Sequence, residues 1–315
     1  MERPYFLAKF NFQFRNKRNH FVVYGLPAIA SALGSYTTAD VKVTKGKGWV
    51  VDDQRLETPG YKKMKFNEAQ QSIKNVLEHL KIDTSMNKLK ITFSGDLVAA
   101  SGVGASAAQC TSLARALNNT FNLNLDDEKI NEAAYEGEKA YHGTPSGIDN
   151  TASTYGGLIW FVKNLSGGKN TIDLLQTPKK TPLVIANSGI TASTAKVVAD
   201  VKRLKDENPK EFEKIFSEYD SLSIKAKKAL LEGDINTIGD LMNQNHKLLQ
   251  KITVSGEIND KLVNIANKNG ALGAKMTGTG RGGLVIALAK NEKIQENIAK
   301  SIKNEGYDAW KTIIG

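Results

Sequence analysis

The sequence predicts an α+β protein of two domains. Three observations predict it: a strand-rich opening, a middle where helices of regular apolar spacing alternate with short strands, and a final run of strand, long helices and strand. At 315 residues the chain can hold two domains of ordinary size. Its 40% hydrophobic and 24% charged residues suffice for a packed core, which excludes a disordered chain.

Phe10, Phe12 and Phe14 alternate with Asn11, Gln13 and Arg15, the period of a half-buried strand. Phe21-Val22-Val23-Tyr24 is expected to continue the β structure and to lead through Gly25-Leu26-Pro27 into an Ala-rich stretch. Asp40-Val41-Lys42-Val43-Thr44 alternates again before a turn at Gly46-Lys47-Gly48. Ile73, Val76, Leu77 and Leu80 share one helical face, predicting a helix over 67–80, and Leu89-Lys90-Ile91-Thr92-Phe93 returns to a strand. Helices are expected near 106–118 and 127–140, then a strand over 158–162 after Gly156-Gly157. The polar stretch Ser166-Gly167-Gly168-Lys169-Asn170 is the expected crossing, giving domains over 1–167 and 168–315. The second would hold a strand at 183–186, Lys/Glu-rich helices over 191–248, Ala274-Lys275-Met276, a Gly-rich turn and a strand at 284–288.

Cys110 is the only cysteine, which rules out an internal disulfide and fits a reducing cytoplasm. No run approaches the roughly 20 apolar residues needed to span a bilayer, and the opening lacks a signal-peptide core, so no membrane segment is expected. A net charge of +10 could draw nucleic acid or small anions. The lysines are scattered without interleaved aromatics, which reads as solvated surface and argues against nucleic acid.

Three constellations could carry chemistry. Ala100-Ser101-Gly102-Val103-Gly104-Ala105-Ser106-Ala107-Ala108 lies between an expected strand and an expected helix. Gly102 and Gly104 let backbone approach a bulky anion, the helix start beyond offers unpaired N–H groups, and Ser106 can give a hydroxyl to a metal. It is no Walker loop, because no Gly-Lys-Ser/Thr follows, and a plain strand-to-helix turn would read alike. Glu138 closes one helix and Asp149 follows the turn-rich His142-Gly143-Thr144-Pro145-Ser146-Gly147-Ile148. One carboxylate could hold Mg²⁺ and the other accept a proton from an alcohol; capping of the next segment is the bland alternative. Lys275-Met276-Thr277-Gly278-Thr279-Gly280-Arg281-Gly282-Gly283 has more glycine than a tight turn needs, so ligand and backbone could meet closely there.

Together and in this order the three stretches resemble the superfamily of galactokinase, homoserine kinase, mevalonate kinase and phosphomevalonate kinase, the GHMP kinases. Gly102-Val103-Gly104-Ala105-Ser106-Ala107 is similar to the family's ATP loop, usually Gly-Leu-Gly-Ser-Ser-Ala, with Ala105 replacing the first serine. The run from His142 to Asn150 resembles the segment that marks the mevalonate kinases, and Phe21 to Gly25, Asn187 to Ile190, Asn243 to His246 and Lys275 to Gly283 are similar to other segments of that group. The resemblance implies an N-terminal domain with a left-handed βαβ crossover, a ferredoxin-like C-terminal domain, and ATP-dependent phosphorylation of the mevalonate 5-hydroxyl. By position it makes Asp149 the catalytic base and Ser106 and Glu138 the Mg²⁺ partners, and places His20, Ser146 and Thr277 around mevalonate. A homodimer stays open.

One departure stands out. The family begins with a run close to Gly-Lys-Val-Ile-Leu-Phe-Gly-Glu-His, yet counting back from His20 finds Gln13 at the lysine, Arg18 at the glycine and Asn19 at the glutamate. If a strand persists there, Arg15 and Lys17 share a face with Gln13 and could deliver a substitute cation. The alternatives to a mevalonate kinase are another GHMP small-molecule kinase and a catalytically impaired relative that binds nucleotide.

Overall fold

The computed structural model describes residues 21–57, 59–97, 104–190, 194–278 and 280–315. These sort into two compact units, one made of Ala32–Gly156 and the other of residues 21–31 with Gly157–Gly315. The first strand, β1 (Ala28–Ser31), therefore belongs to the second unit.

The first unit comprises β2 (Thr38–Lys45), β3 (Trp49–Asp53), α1 (Tyr61–Met64), α2 (Phe66–His79), β4 (Asn87–Ser94), α3 (Ala105–Phe121), α4 (Asp127–His142) and α5 (Ile148–Tyr155). Its sheet has the order β2-β4-β3, with β4 antiparallel to β2 and parallel to β3. Two adjacent parallel strands need a crossover, here supplied by α1 and α2. The alternation read from sequence sends Leu89, Ile91 and Phe93 of the central strand inward against Ile73, Val76 and Leu77 of α2 and Leu113 and Leu117 of α3. Asp126 caps α4 by accepting from the Lys129 N–H at 2.9 Å.

The second unit continues with β5 (Leu158–Val162), β6 (Thr171–Leu175), β7 (Thr181–Asn187), α6 (Thr194–Glu207), α7 (Pro209–Glu232), α8 (Ile235–Lys251), α9 (Glu257–Lys268), β8 (Gly273–Thr277), β9 (Leu284–Leu288), α10 (Glu292–Asn304) and β10 (Asp308–Ile314). One sheet is β1-β5-β6 and the other β10-β7-β9-β8, both antiparallel throughout. In the larger sheet, strand, helices, two hairpin strands, helix and strand pair with the last strand beside the first, the ferredoxin-like order that the resemblance implied. Helix α8 covers its edge: Asn243 Oδ1 accepts from the Ala274 N–H at 3.0 Å and His246 Nδ1 from the Met276 N–H at 3.4 Å. The approach is close enough that a Cβ on Gly273 would sit 1.9 Å from the Gly239 carbonyl oxygen. Among the described residues no helix is long and apolar enough to cross a membrane.

The structure differs from the sequence reading in two places. Residues 22–24 form a 3-10 turn, closed by Gly25 at φ 77°, and the strand starts only at Ala28. Ring packing overrides the β propensity: Phe21 stacks on Tyr219 with centroids 3.9 Å apart and meets Phe216 edge-on at 5.6 Å. The polar run over 166–170 closes the β5-β6 hairpin inside the second unit, and the division between units falls at Gly156/Gly157. Gly167 and Gly168 supply the positive φ of that hairpin, so the composition expected of a linker serves a turn. The expected strand around Phe10, Phe12 and Phe14 lies outside the described residues.

Candidate active site

Gly104 is the residue before α3 and has φ 81°, so the glycine-rich stretch turns there directly into helix. Ala105, Ser106 and Ala107 form the buried first turn, whose N–H groups have no partner inside the helix. That turn carries the positive end of a 17-residue helix and suits an anion. Gly102 and Val103 lie outside the described residues.

Glu138 and His142 stand one turn apart at the end of α4, both buried. His142 Nε2 lies 3.5 Å from Glu138 Oε2 and 3.4 Å from Ser106 Oγ. One ring nitrogen therefore joins the start of α3 to the end of α4 and brings Ser106 and Glu138 together. A hydroxyl and a carboxylate are hard oxygen donors, suited to Mg²⁺, which keeps several waters and takes only one or two protein ligands beside phosphate. Among the described residues no group of three or more His, Cys, Asp and Glu is placed to hold a metal ion. The donor set fits Mg²⁺ held jointly with a phosphorylated ligand.

Asp149 sits in the first turn of α5, almost fully buried, where the helix dipole favours a carboxylate. Helix α5 packs against both α3 and α4. Its seat is fixed by Asn150 Nδ2, which donates to Asn131 Oδ1 at 2.6 Å, and by Thr151 Oγ1, which donates to the Gly147 carbonyl at 2.6 Å. Ser146 is buried in the preceding turn and its Oγ accepts from the Ile148 N–H at 3.5 Å. Asp149 thus rides on an element packed against the two helices that carry Ser106 and Glu138, with Ser146 in the turn that leads into it.

In the second unit, Thr277 ends β8 with its Oγ1 buried and without a hydrogen-bond partner among the described residues. Burial pushes the Lys275 ammonium down to about 7, and its Nζ donates to the Met276 carbonyl at 2.9 Å. Burial likewise pushes His246 down to about 4, with Asp260 at 3.1 Å opposing the shift and Lys275 adding to it. The glycine-rich loop after β8 is held from one side: the Arg281 N–H donates to the Val254 carbonyl at 2.7 Å and the Gly283 N–H to the Ile190 carbonyl at 2.8 Å. Asn259 grips Gly282 in the same loop. His20 and Thr279 lie outside the described residues. The sequence reading gave no role to His142 although it stood in a quoted motif, and it missed Asn259, which carries no local signal.

A family model described as the GHMP kinases N terminal domain matches residues 67–157, and one described as GHMP kinases C terminal matches residues 226–308. The mevalonate kinase of Pyrococcus horikoshii is 30% identical over 306 residues, spanning 91% of this chain and 89% of its own. That of Thermococcus sibiricus is 29% identical with the same coverage. The crystal structure of L. major mevalonate kinase in complex with R-mevalonate superposes with a TM-score of 0.91 at 39% identity, covering 100% of this chain and 96% of that one.

Proposed function

The chain belongs to the GHMP kinase family, and from that membership we propose that it transfers the γ-phosphoryl group of ATP to the 5-hydroxyl of (R)-mevalonate. The observation that carries this reading is the meeting of Ser106 and Glu138 at His142, on two helices packed against the one that bears Asp149. The solved relative with R-mevalonate, alike over the whole chain, supports the choice of alcohol.

In this mechanism the first turn of α3 receives the ATP phosphates through its backbone N–H groups, with Gly102, Val103, Gly104, Ala105, Ser106 and Ala107 forming the cradle. Ser106 Oγ and Glu138 would hold Mg²⁺, which would neutralise charge on the phosphate oxygens. Asp149 accepts the proton of the 5-hydroxyl as its oxygen bonds to the γ-phosphorus and the bond to the departing ADP oxygen breaks. His20, Ser146 and Thr277 contact mevalonate, and the buried Thr277 hydroxyl is a hydrogen-bonding group available for it. The reaction takes place in the cytoplasm and belongs to isoprenoid precursor synthesis.

Gln13, standing where the family resemblance implies a lysine, favours a second reading: a relative that binds nucleotide and turns nothing over. ADP release with Mg-ATP and (R)-mevalonate separates the two. Mevalonate-dependent release that Asp149→Asn abolishes supports the kinase; Mg-ATP binding without release on mevalonate supports the second reading.

A further inference from the structure

Arg55 lies two residues beyond β3, in a stretch to which the sequence reading assigned no chemistry, and it is buried. Its guanidinium makes four hydrogen bonds. Nε donates to Asp53 Oδ1 at 2.9 Å and Nη2 to Asp53 Oδ2 at 2.7 Å, a two-pronged ion pair. Nη2 also donates to Gln109 Oε1 at 2.6 Å, and Nη1 to the Ala105 carbonyl at 3.4 Å. Ala105 and Gln109 are one turn apart at the start of α3, and Ser106 lies between them.

Behind this fork stands a second tie. Lys62 Nζ donates to the Asp53 carbonyl at 2.7 Å and to the Arg55 carbonyl, closing the segment after β3 on itself. Burial opposes the charge of Asp53, yet the Arg55 hydrogen bond and charge, with Lys62, hold its carboxyl below the ordinary range, so the pair stays ionised at neutral pH.

A buried ion pair is poor evidence of stability, because well-packed apolar residues of equal volume often do as well. What such residues cannot do is reach a backbone carbonyl, a side-chain amide and a carboxylate at fixed angles from one planar group. We propose that Arg55 is a positioning residue for phosphoryl transfer: it sets the roll and depth of the first turn of α3, and with it the amides and the Ser106 hydroxyl that face ATP. This rests on the reading that the start of α3 receives the ATP phosphates.

The test compares wild type with Arg55→Lys, which keeps the charge and loses the fork, and Gln109→Leu, which removes one of the four Arg55 bonds and leaves the ion pair whole. Calorimetric titration gives the Kd for Mg-ATP, steady-state kinetics the KM for each substrate, and thermal unfolding the stability. The expected result is an Mg-ATP Kd raised about tenfold in Arg55→Lys and about threefold in Gln109→Leu, while the KM for mevalonate moves less than about twofold. Folded variants that bind Mg-ATP as wild type does, with only the unfolding temperature lowered, overturn the proposal. If Arg55→Lys does not fold, an unchanged Kd in Gln109→Leu overturns it alone. A wild type that binds Mg-ATP without phosphorylating mevalonate defeats the substrate assignment, and the same Kd series still decides the role of Arg55.

Discussion

Asn259 holds Gly282 by both ends of its carboxamide: Oδ1 accepts the Gly282 N–H at 2.8 Å and Nδ2 donates to the Gly282 carbonyl at 2.9 Å. The side chain is fully buried at the start of α9, and Gly282 is 23 residues away in the loop after β8. Replacing Asn259 with Ala strands a buried donor and a buried acceptor, at a cost of about 2 kcal/mol or more. Urea unfolding should show it as a lower midpoint at unchanged slope.

Asp149→Asn keeps the shape of the α5 start and removes the proton acceptor. Turnover should fall by about 10² to 10⁴, with the Mg-ATP Kd within about twofold of wild type. A rapid-quench measurement of the phosphorylated product distinguishes loss of chemistry from slow release. Retained turnover would remove Asp149 from the mechanism.

Stability should climb with pH through the neutral and alkaline range, because Lys275 titrates near 7 in the fold and near 10.5 when unfolded. Below about 7 both states carry the proton and the fold bears the cost of a buried ammonium. Between about 7 and 10.5 only the unfolded state keeps it, so the native state gains up to about 1.4 kcal/mol per pH unit. His246 acts in the same direction at lower pH: its folded value near 4 against 6.5 means that stability drops as pH falls from about 6.5 towards 4. Denaturation of wild type and Lys275→Met at pH 7 and pH 9.5 isolates the first effect. The difference between the two proteins should change sharply with pH.

Gly273→Ala should be severely destabilising, by about 3 kcal/mol, since the new Cβ meets the Gly239 carbonyl oxygen at 1.9 Å and backbone must move to admit it. Gly34→Ala is the matched control. Among the described residues nothing lies within 4 Å of its Cβ position, so its unfolding temperature should barely change.

The sequence disclosed elements whose periodicity is sustained by local packing. The strand over Leu158–Val162 and the helix starting at Asp127 appear at their expected positions, and the alternation of Leu89, Ile91 and Phe93 faces the core as read. Residues 22–24 were misread because their shape is decided by Tyr219 and Phe216, nearly two hundred positions later. Ser106 and Asp149 stood out as candidates because each lies beside a glycine- or turn-rich run at a helix start, and Glu138 because it falls in the last turns of the helix before one. Arg55 and Asn259 were not, since an isolated Arg or Asn acquires meaning only from partners 54 and 23 residues away.

The second unit is discontinuous, and a ribosome must make it in two instalments. Among the described residues β1 pairs with β5, which follows the whole of the first unit, and the Tyr219 hydroxyl reaches the Pro27 carbonyl across 192 residues of chain. Ala32–Gly156 can close on itself before β5, the partner strand described for β1, has been made. A nascent chain halted near Gly156 therefore lacks β5, on which β1 is to pair. That is the stage at which chaperone engagement, or mispairing with a neighbouring nascent chain, has its opening.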